Sequence, residues 1–224
     1  MNRQIVLDTE TTGLSHQNGH RIIEIAAIEM IDRQVTQRNF HTYINPERKI
    51  DEGAFRVHGI SAEFLRDKPV FKDILEDFIV FIDGAELIIH NATFDIGFLE
   101  SELQKIKPDD SIHNYIRVFD TLAYARQKHR GAKNNLDALC KRYQVNNAHR
   151  NLHGALLDAD LLVKVYLAMT GGQIELFQDV KNESPNFPAT QNESEISSSS
   201  PIICANAEEL KAHKEFMEKL IFNL

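Results

Sequence analysis

The sequence predicts an α/β domain, a central mixed β-sheet flanked by helices, followed by a flexible C-terminal tail. Three observations predict it. Strand-like apolar runs come first and consecutively, helical periods then alternate with a strand, and the composition changes near Gly171-Gly172. The first strand, near 3–9, contains Ile5-Val6-Leu7; others are expected near 21–31, 35–45 and 86–90. Helices are expected near 71–82, 93–106, 119–127, 135–143 and 154–169. The helix at 71–82 is the clearest, because Phe71, Ile74, Leu75, Phe78, Ile79 and Ile82 repeat on one face.

Beyond the domain, residues 183–201 (ESPNFPATQNESEISSSSP) are too polar to bury a core of their own. Residues 207–222 regain helical character, with Leu210, Phe216, Met217, Leu220 and Ile221 loosely on one stripe. The expected organisation is a folded domain at 1–172, a flexible linker at 173–206 and a C-terminal segment at 207–224. A helix on such a tether suits partner docking, with a frayed tail as the alternative.

Composition narrows the classes. The chain has 224 residues, 42% of them apolar, and a formal net charge of −8. No apolar run approaches the roughly 18 residues of a spanning helix. The opening MNRQIVLDTETTG lacks signal-peptide architecture, so a cytoplasmic protein is expected. Cys140 and Cys204 read as unpaired thiols, and no Cys–His zinc spacing occurs. The acidic balance argues against a passive nucleic-acid coat. Residues 117–150 are locally basic, with Arg117, Arg126, Lys128, Arg130, Lys133, Lys141, Arg142 and Arg150. They can contact phosphates or form a solvated helical face.

The chemistry lies in carboxylates set beside apolar stretches. Asp8 and Glu10 end the first strand two residues apart, so they share a face and repel one another. Thr11-Thr12-Gly13 then supplies a turn. Asp95 follows the strand Leu87-Ile88-Ile89, in the first turn of a helix capped by Asn91 or Thr93. Asp158 shares a helix face with Leu161, Leu162 and Val165. His153 would lie about 140° away around that helix, so the two converge only if His153 sits in the preceding loop. Each feature alone also fits a solvated strand end, a helix-capping acid or a surface histidine. Together, four carboxylates suit hard divalent cations, and a loop histidine suits a general base. That combination fits a two-metal phosphodiester hydrolase.

At these residues the chain resembles the DEDDh 3′–5′ exonucleases. The motifs are D-x-E-T-T-G from Asp8 to Gly13, N-A-x-F-D from Asn91 to Asp95, and H-x4-D from His153 to Asp158. The stretches RIIEIAAIE, VHGI, ELIIHNATFDIGF, NNLDALC and LHGALLDADLLVKVYLAMTGGQ extend the resemblance to the proofreading subunits of bacterial replicative DNA polymerases, over about 1–173. The resemblance implies an RNase H-like fold, with Asp8, Glu10, Asp95 and Asp158 holding two Mg²⁺ or Mn²⁺ ions and His153 as the base. It implies substrate contacts from Asp8, Glu10, Thr11, His58 and Asp158, with Val57, His90 and Phe94 lining the same site. One position departs from the family: Gly53 stands where a Glu is common, with Glu52 one residue earlier.

Partners follow from the same resemblance: DNA with a 3′ end, a small accessory subunit on the domain, and a polymerase catalytic subunit held by the tail. Gln173, Leu176 and Phe177 resemble a peptide that docks on a sliding clamp, or they form a staple on the last helix. Two other functions compete with proofreading. A related ribonuclease would trim RNA 3′ ends, and a silent adaptor would only bind. The long tail favours the subunit, and the complete set Asp8, Glu10, Asp95, His153 and Asp158 argues against the adaptor.

Overall fold

The computed structural model describes residues 2–148, 150 and 152–171. The expected linker, the C-terminal segment, and Gln173, Leu176 and Phe177 lie outside these residues. Five strands form one mixed sheet in the order β3-β2-β1-β4-β5. Strands β1 (Arg3–Thr11), β2 (Ile22–Ile31) and β3 (Gln34–Tyr43) run antiparallel; β4 (Glu86–Ile89) and β5 (Arg117–Asp120) lie parallel to β1. The β2–β3 turn is made by Asp32 and Arg33, both at positive φ (48° and 68°), matching the twist of a tight hairpin.

The described residues form seven α-helices: α1 (Glu52–His58), α2 (Ala62–Leu65), α3 (Phe71–Ile82), α4 (Ala92–Ile106), α5 (Thr121–Lys128), α6 (Leu136–Arg142) and α7 (Ala155–Thr170). Side-chain alternation splits the core in two. Ile5, Leu7, Leu87 and Ile89 pack against Phe71, Phe78, Phe98 and Leu103 of α3 and α4. Val6, Ala26, Met30 and Ile88 pack against Leu139, Leu161, Leu162 and Val165 of α6 and α7. No helix among the described residues is long and apolar enough to cross a membrane. Cys140 is a buried free thiol, and Cys204 lies outside the described residues.

The structure corrects several expectations. Strand β1 runs through Thr11, so Glu10 sits within the strand rather than at its end. The helix expected at 119–127 begins only at Thr121, because Asp120 ends β5 and caps α5 by accepting from the Leu122 and Ala123 amides. Helices α1 and α2 were not expected. His58, read as a turn histidine, is the last residue of α1, which Gly59 closes at φ 71°. Asn91 precedes α4 at φ 70°, yet its side chain makes no capping bond.

Candidate active site

The carboxyl end of β1 is the floor of the site. Asp8 and Glu10 project from the same face as Val6, the face that α7 covers. Across the ladder Asp8 meets Ala26, and Glu10 meets Glu24. Thr9 points to the opposite face, where its hydroxyl donates to Asp95 Oδ1 at 2.7 Å. This bond ties the first turn of α4 to the floor.

The third segment arrives from the other side. Asp158, 3% exposed, lies in the first turn of α7, and His153 occupies the loop before it, as the spacing requires. The His153 amide donates to Val57 O at 3.0 Å, which fixes the loop. One donor atom from each of Glu10, His153 and Asp158 falls within 4.8 Å of the others. Asp8 and Asp95 line the same cavity, of about 160 Å³. The structure therefore brings all five core residues together.

Crowding shapes the electrostatics. Burial, then the Asp95, Glu10 and Asp158 charges, hold the Asp8 carboxyl well above the usual range. Glu10 is pushed up to about 8 by burial, Asp158, Glu24 and Asp95. Asp95 is pushed up to about 7 by burial, against the bond from Thr9. Without cations the site thus favours the protonated form of each group. A buried set of mutually repelling oxygen donors fits hard divalent cations.

Next to the carboxylates lies a cleft of about 430 Å³, bordered by Glu10, Thr11, Val57, His58 and Phe94. The Thr11 hydroxyl donates to Gly13 O at 2.7 Å. His58 Nδ1 accepts the Ile60 amide at 2.9 Å, so the neutral ring carries its proton on Nε2, which has no partner among the described residues. Burial lowers the pKa of this ring. Gly53 also lines the cleft, and a Cβ built there would meet nothing within 4 Å, so the place of the family's Glu is open space. Glu52, one residue earlier, is not among the lining residues. His90 lines the carboxylate cavity, with Nδ1 3.0 Å from the Thr121 hydroxyl. It also borders a second cleft with Asn91, Arg126 and Asn135.

Sequence reasoning missed two residues. Glu24, 2% exposed, accepts the Ala155 amide at 3.2 Å and contacts His41 Nε2 at 2.8 Å, pinning the start of α7. A glutamate inside the apolar run Ile22-Ile23-Glu24-Ile25 was its available signal. Arg150, counted with surface cations, instead has its side chain buried in the site against Asp158, with the exposed Asp137 on its outer side. Lys128 and Arg142 of the same basic stretch are also engaged internally, with Met169 O and with Asn134 and Lys133 O.

Comparison with known proteins agrees with this geometry. The exonuclease family model RNase_T matches residues 5–166. The DNA polymerase III subunit epsilon of Rickettsia felis is 49% identical over 222 residues, covering 98% of this chain and 97% of that protein. Its counterpart from Escherichia coli is 47% identical over 220 residues, covering 95% and 90%. Among solved structures, exonuclease X in complex with 5′-overhanging duplex DNA superposes with a TM-score of 0.59 at 25% identity, covering 79% of this chain and 98% of that one. Escherichia coli exonuclease I bound to a dT13 oligonucleotide gives 0.66 at 19% identity, covering 79% and 43%. By domain, by near full-length identity and by fold, the chain belongs to the exonuclease family, in the branch of the DNA polymerase III epsilon subunits.

Proposed function

We propose that this 3′–5′ exonuclease removes mispaired 3′-terminal nucleotides from DNA as 5′-mononucleotides, serving a replicative polymerase in the cytoplasm. One observation carries the reading: four carboxylates and a histidine converge beside a cleft large enough for a nucleotide. Asp8, Glu10, Asp95 and Asp158 would hold two Mg²⁺ or Mn²⁺ ions. Such ions, when bound, stabilise the attacking and leaving oxygens of the displacement. Thr9 orients Asp95, and the Val57 carbonyl anchors the loop of His153. His153 takes the proton of the attacking water as the new P–O bond forms and the bond to the 3′ oxygen breaks.

The terminal nucleotide occupies the cleft, its base against Phe94 and Val57, with the His58 Nε2–H donating to it and Thr11 at its edge. His90 and the second cleft face the rest of the strand, where Arg126 suits a phosphate. A mismatched end is already unpaired, so placing it in the cleft costs less than melting a matched pair. The test presents 3′-mismatched DNA, matched DNA and RNA of equal length with Mg²⁺ and identifies the products. Mismatched DNA is expected to be cut fastest, to 5′-mononucleotides. Equal or faster cutting of RNA would replace proofreading with RNA trimming.

The tail extends the proposal. Leu176 and Phe177 suit an apolar clamp pocket with Gln173 hydrogen-bonding at its rim, and 207–224 suits docking on the polymerase, which raises the local concentration of the nuclease. A small accessory subunit would bind the domain itself. Replacing Leu176 and Phe177 by Ala is expected to weaken clamp binding and leave the melting temperature unchanged. The reverse pattern would return the peptide to the last helix.

A further inference from the structure

Among the described residues, Arg150 is the one arginine or lysine lining the carboxylate cavity. Its side chain is 7% exposed, too enclosed to serve as a surface phosphate contact. Nε and Nη2 grip both oxygens of Asp158, at 2.6 and 2.7 Å. Nη2 also lies 3.0 Å from His153 Nδ1, and Nη1 reaches Asp137 on α6 at 2.6 Å. The same Nδ1 lies 3.2 Å from Asp158 Oδ2, so one edge of the ring rests against both the guanidinium and the carboxylate, which sets its tilt. One planar group thus sets Asp158 and His153, from different segments, at a fixed mutual position. Asp137, which also accepts from the Asn147 side chain at 3.0 Å, steadies that group from behind.

We propose that Arg150 is a positioning residue for the reaction: its fork fixes the plane of the Asp158 carboxylate and the ring of His153 before ions and substrate arrive. A bidentate grip leaves each Asp158 oxygen a further lone pair, so holding and ion binding are compatible. Groups that hydrogen-bond to metal-binding carboxylates in this way are worth about 10–100-fold in affinity or activity. Lysine would keep the charge without the fork. The inference rests on the reading of Asp158 as an ion ligand and His153 as the base.

The test uses the full chain with Arg150→Ala and Arg150→Lys. It measures Mn²⁺ affinity by calorimetry without DNA, and kcat and KM on mismatched DNA. Both variants are expected to lose about 10–100-fold in Mn²⁺ affinity and in kcat, with KM changed far less. Unchanged or tighter Mn²⁺ binding in Arg150→Ala overturns the proposal, because the guanidinium would then be only a counter-cation. Wild-type affinity and kcat in Arg150→Lys overturn it as well, and decide the matter if the Ala variant does not fold. Activity of the wild-type protein in excess chelator would instead refute the underlying two-ion reading, whatever the Arg150 variants do.

Discussion

The two ends of β1 treat buried carboxylates in opposite ways. At the amino end Glu29, 1% exposed, accepts from Arg3 at 2.7 Å, from Thr36 at 2.9 Å and from Arg38 at 3.2 Å. Burial pushes its pKa up, but these donors outweigh it and the net shift is downward. At the carboxyl end Asp8 and Glu10 face Asp95 and Asp158, with Arg150 as the one enclosed cation, and the shifts run upward. Glu102 repeats the first pattern in α4, gripped by Arg21 at 2.5 and 2.7 Å. Glu29 and Glu102 are thus each matched by arginine. The acids at the carboxyl end are under-compensated, which favours protons or bound cations there.

Variants at each end can break that contrast. The largest effect is expected from Asp8→Ala, which removes a proposed ion ligand worth several kcal/mol, so turnover is expected to fall about 10³-fold or more. The same change relieves repulsion, so the metal-free variant is expected to melt no lower than the wild type in chelator. Retained Mg²⁺-dependent turnover would end the assignment. His153→Ala separates proton transfer from ion holding: a loss of ~10²–10⁴-fold is expected, with Mn²⁺ binding preserved in calorimetry.

At the amino end the expected cost is in stability alone. Arg3→Ala leaves Glu29 short of a charged donor at about 2 kcal/mol, or roughly 4–8 °C in melting temperature. Its turnover at 25 °C is expected to match the wild type. A turnover defect would mean that the two ends are coupled.

The last test concerns pH. Glu10 near 8 and Asp95 near 7 lie above their unfolded values of 4.5 and 3.8, so the metal-free native state binds more protons than the unfolded chain in between. The stability they contribute is present below the unfolded values and is lost as pH rises through the folded ones. In chelator the melting temperature is therefore expected to fall from pH 5 to 8, and to fall less with Mn²⁺. Glu29 and Asp137, both shifted down, act in the opposite sense and below that window. Parallel melting curves with and without Mn²⁺ would show that ions do not relieve the crowding.

Much of this was legible in the sequence because the informative signals were local. Asp8 and Glu10 share a face through strand period, Asp95 follows its strand directly, and the spacing from His153 to Asp158 required a loop histidine. Local signals were lacking elsewhere. Helix α1 buries only His58 and leaves Phe55 and Val57 exposed, so it carries no apolar period. Strand β5 has four residues, too few to show alternation. Glu24 acts on Ala155 and His41, and Arg150 acts on Asp137 and Asp158, through contacts that only the folded chain creates. Composition placed Arg150 among surface cations because charge counts say nothing about burial.

The position of α7 at the end of the domain has a consequence for biosynthesis. Helix α7 packs on β1 and β2, and with the loop before it brings Asp158, His153 and Arg150 to a floor laid down by the first residues of the chain. A chain leaving the ribosome amino end first can pair β1, β2 and β3 early, through neighbouring turns. It holds no complete cutting apparatus until residue 158 has emerged and the helix has closed over the strand. An amino-terminal fragment that stops short of residue 153 lacks His153 and Asp158, and on the proposed reading it is expected to be inactive on DNA.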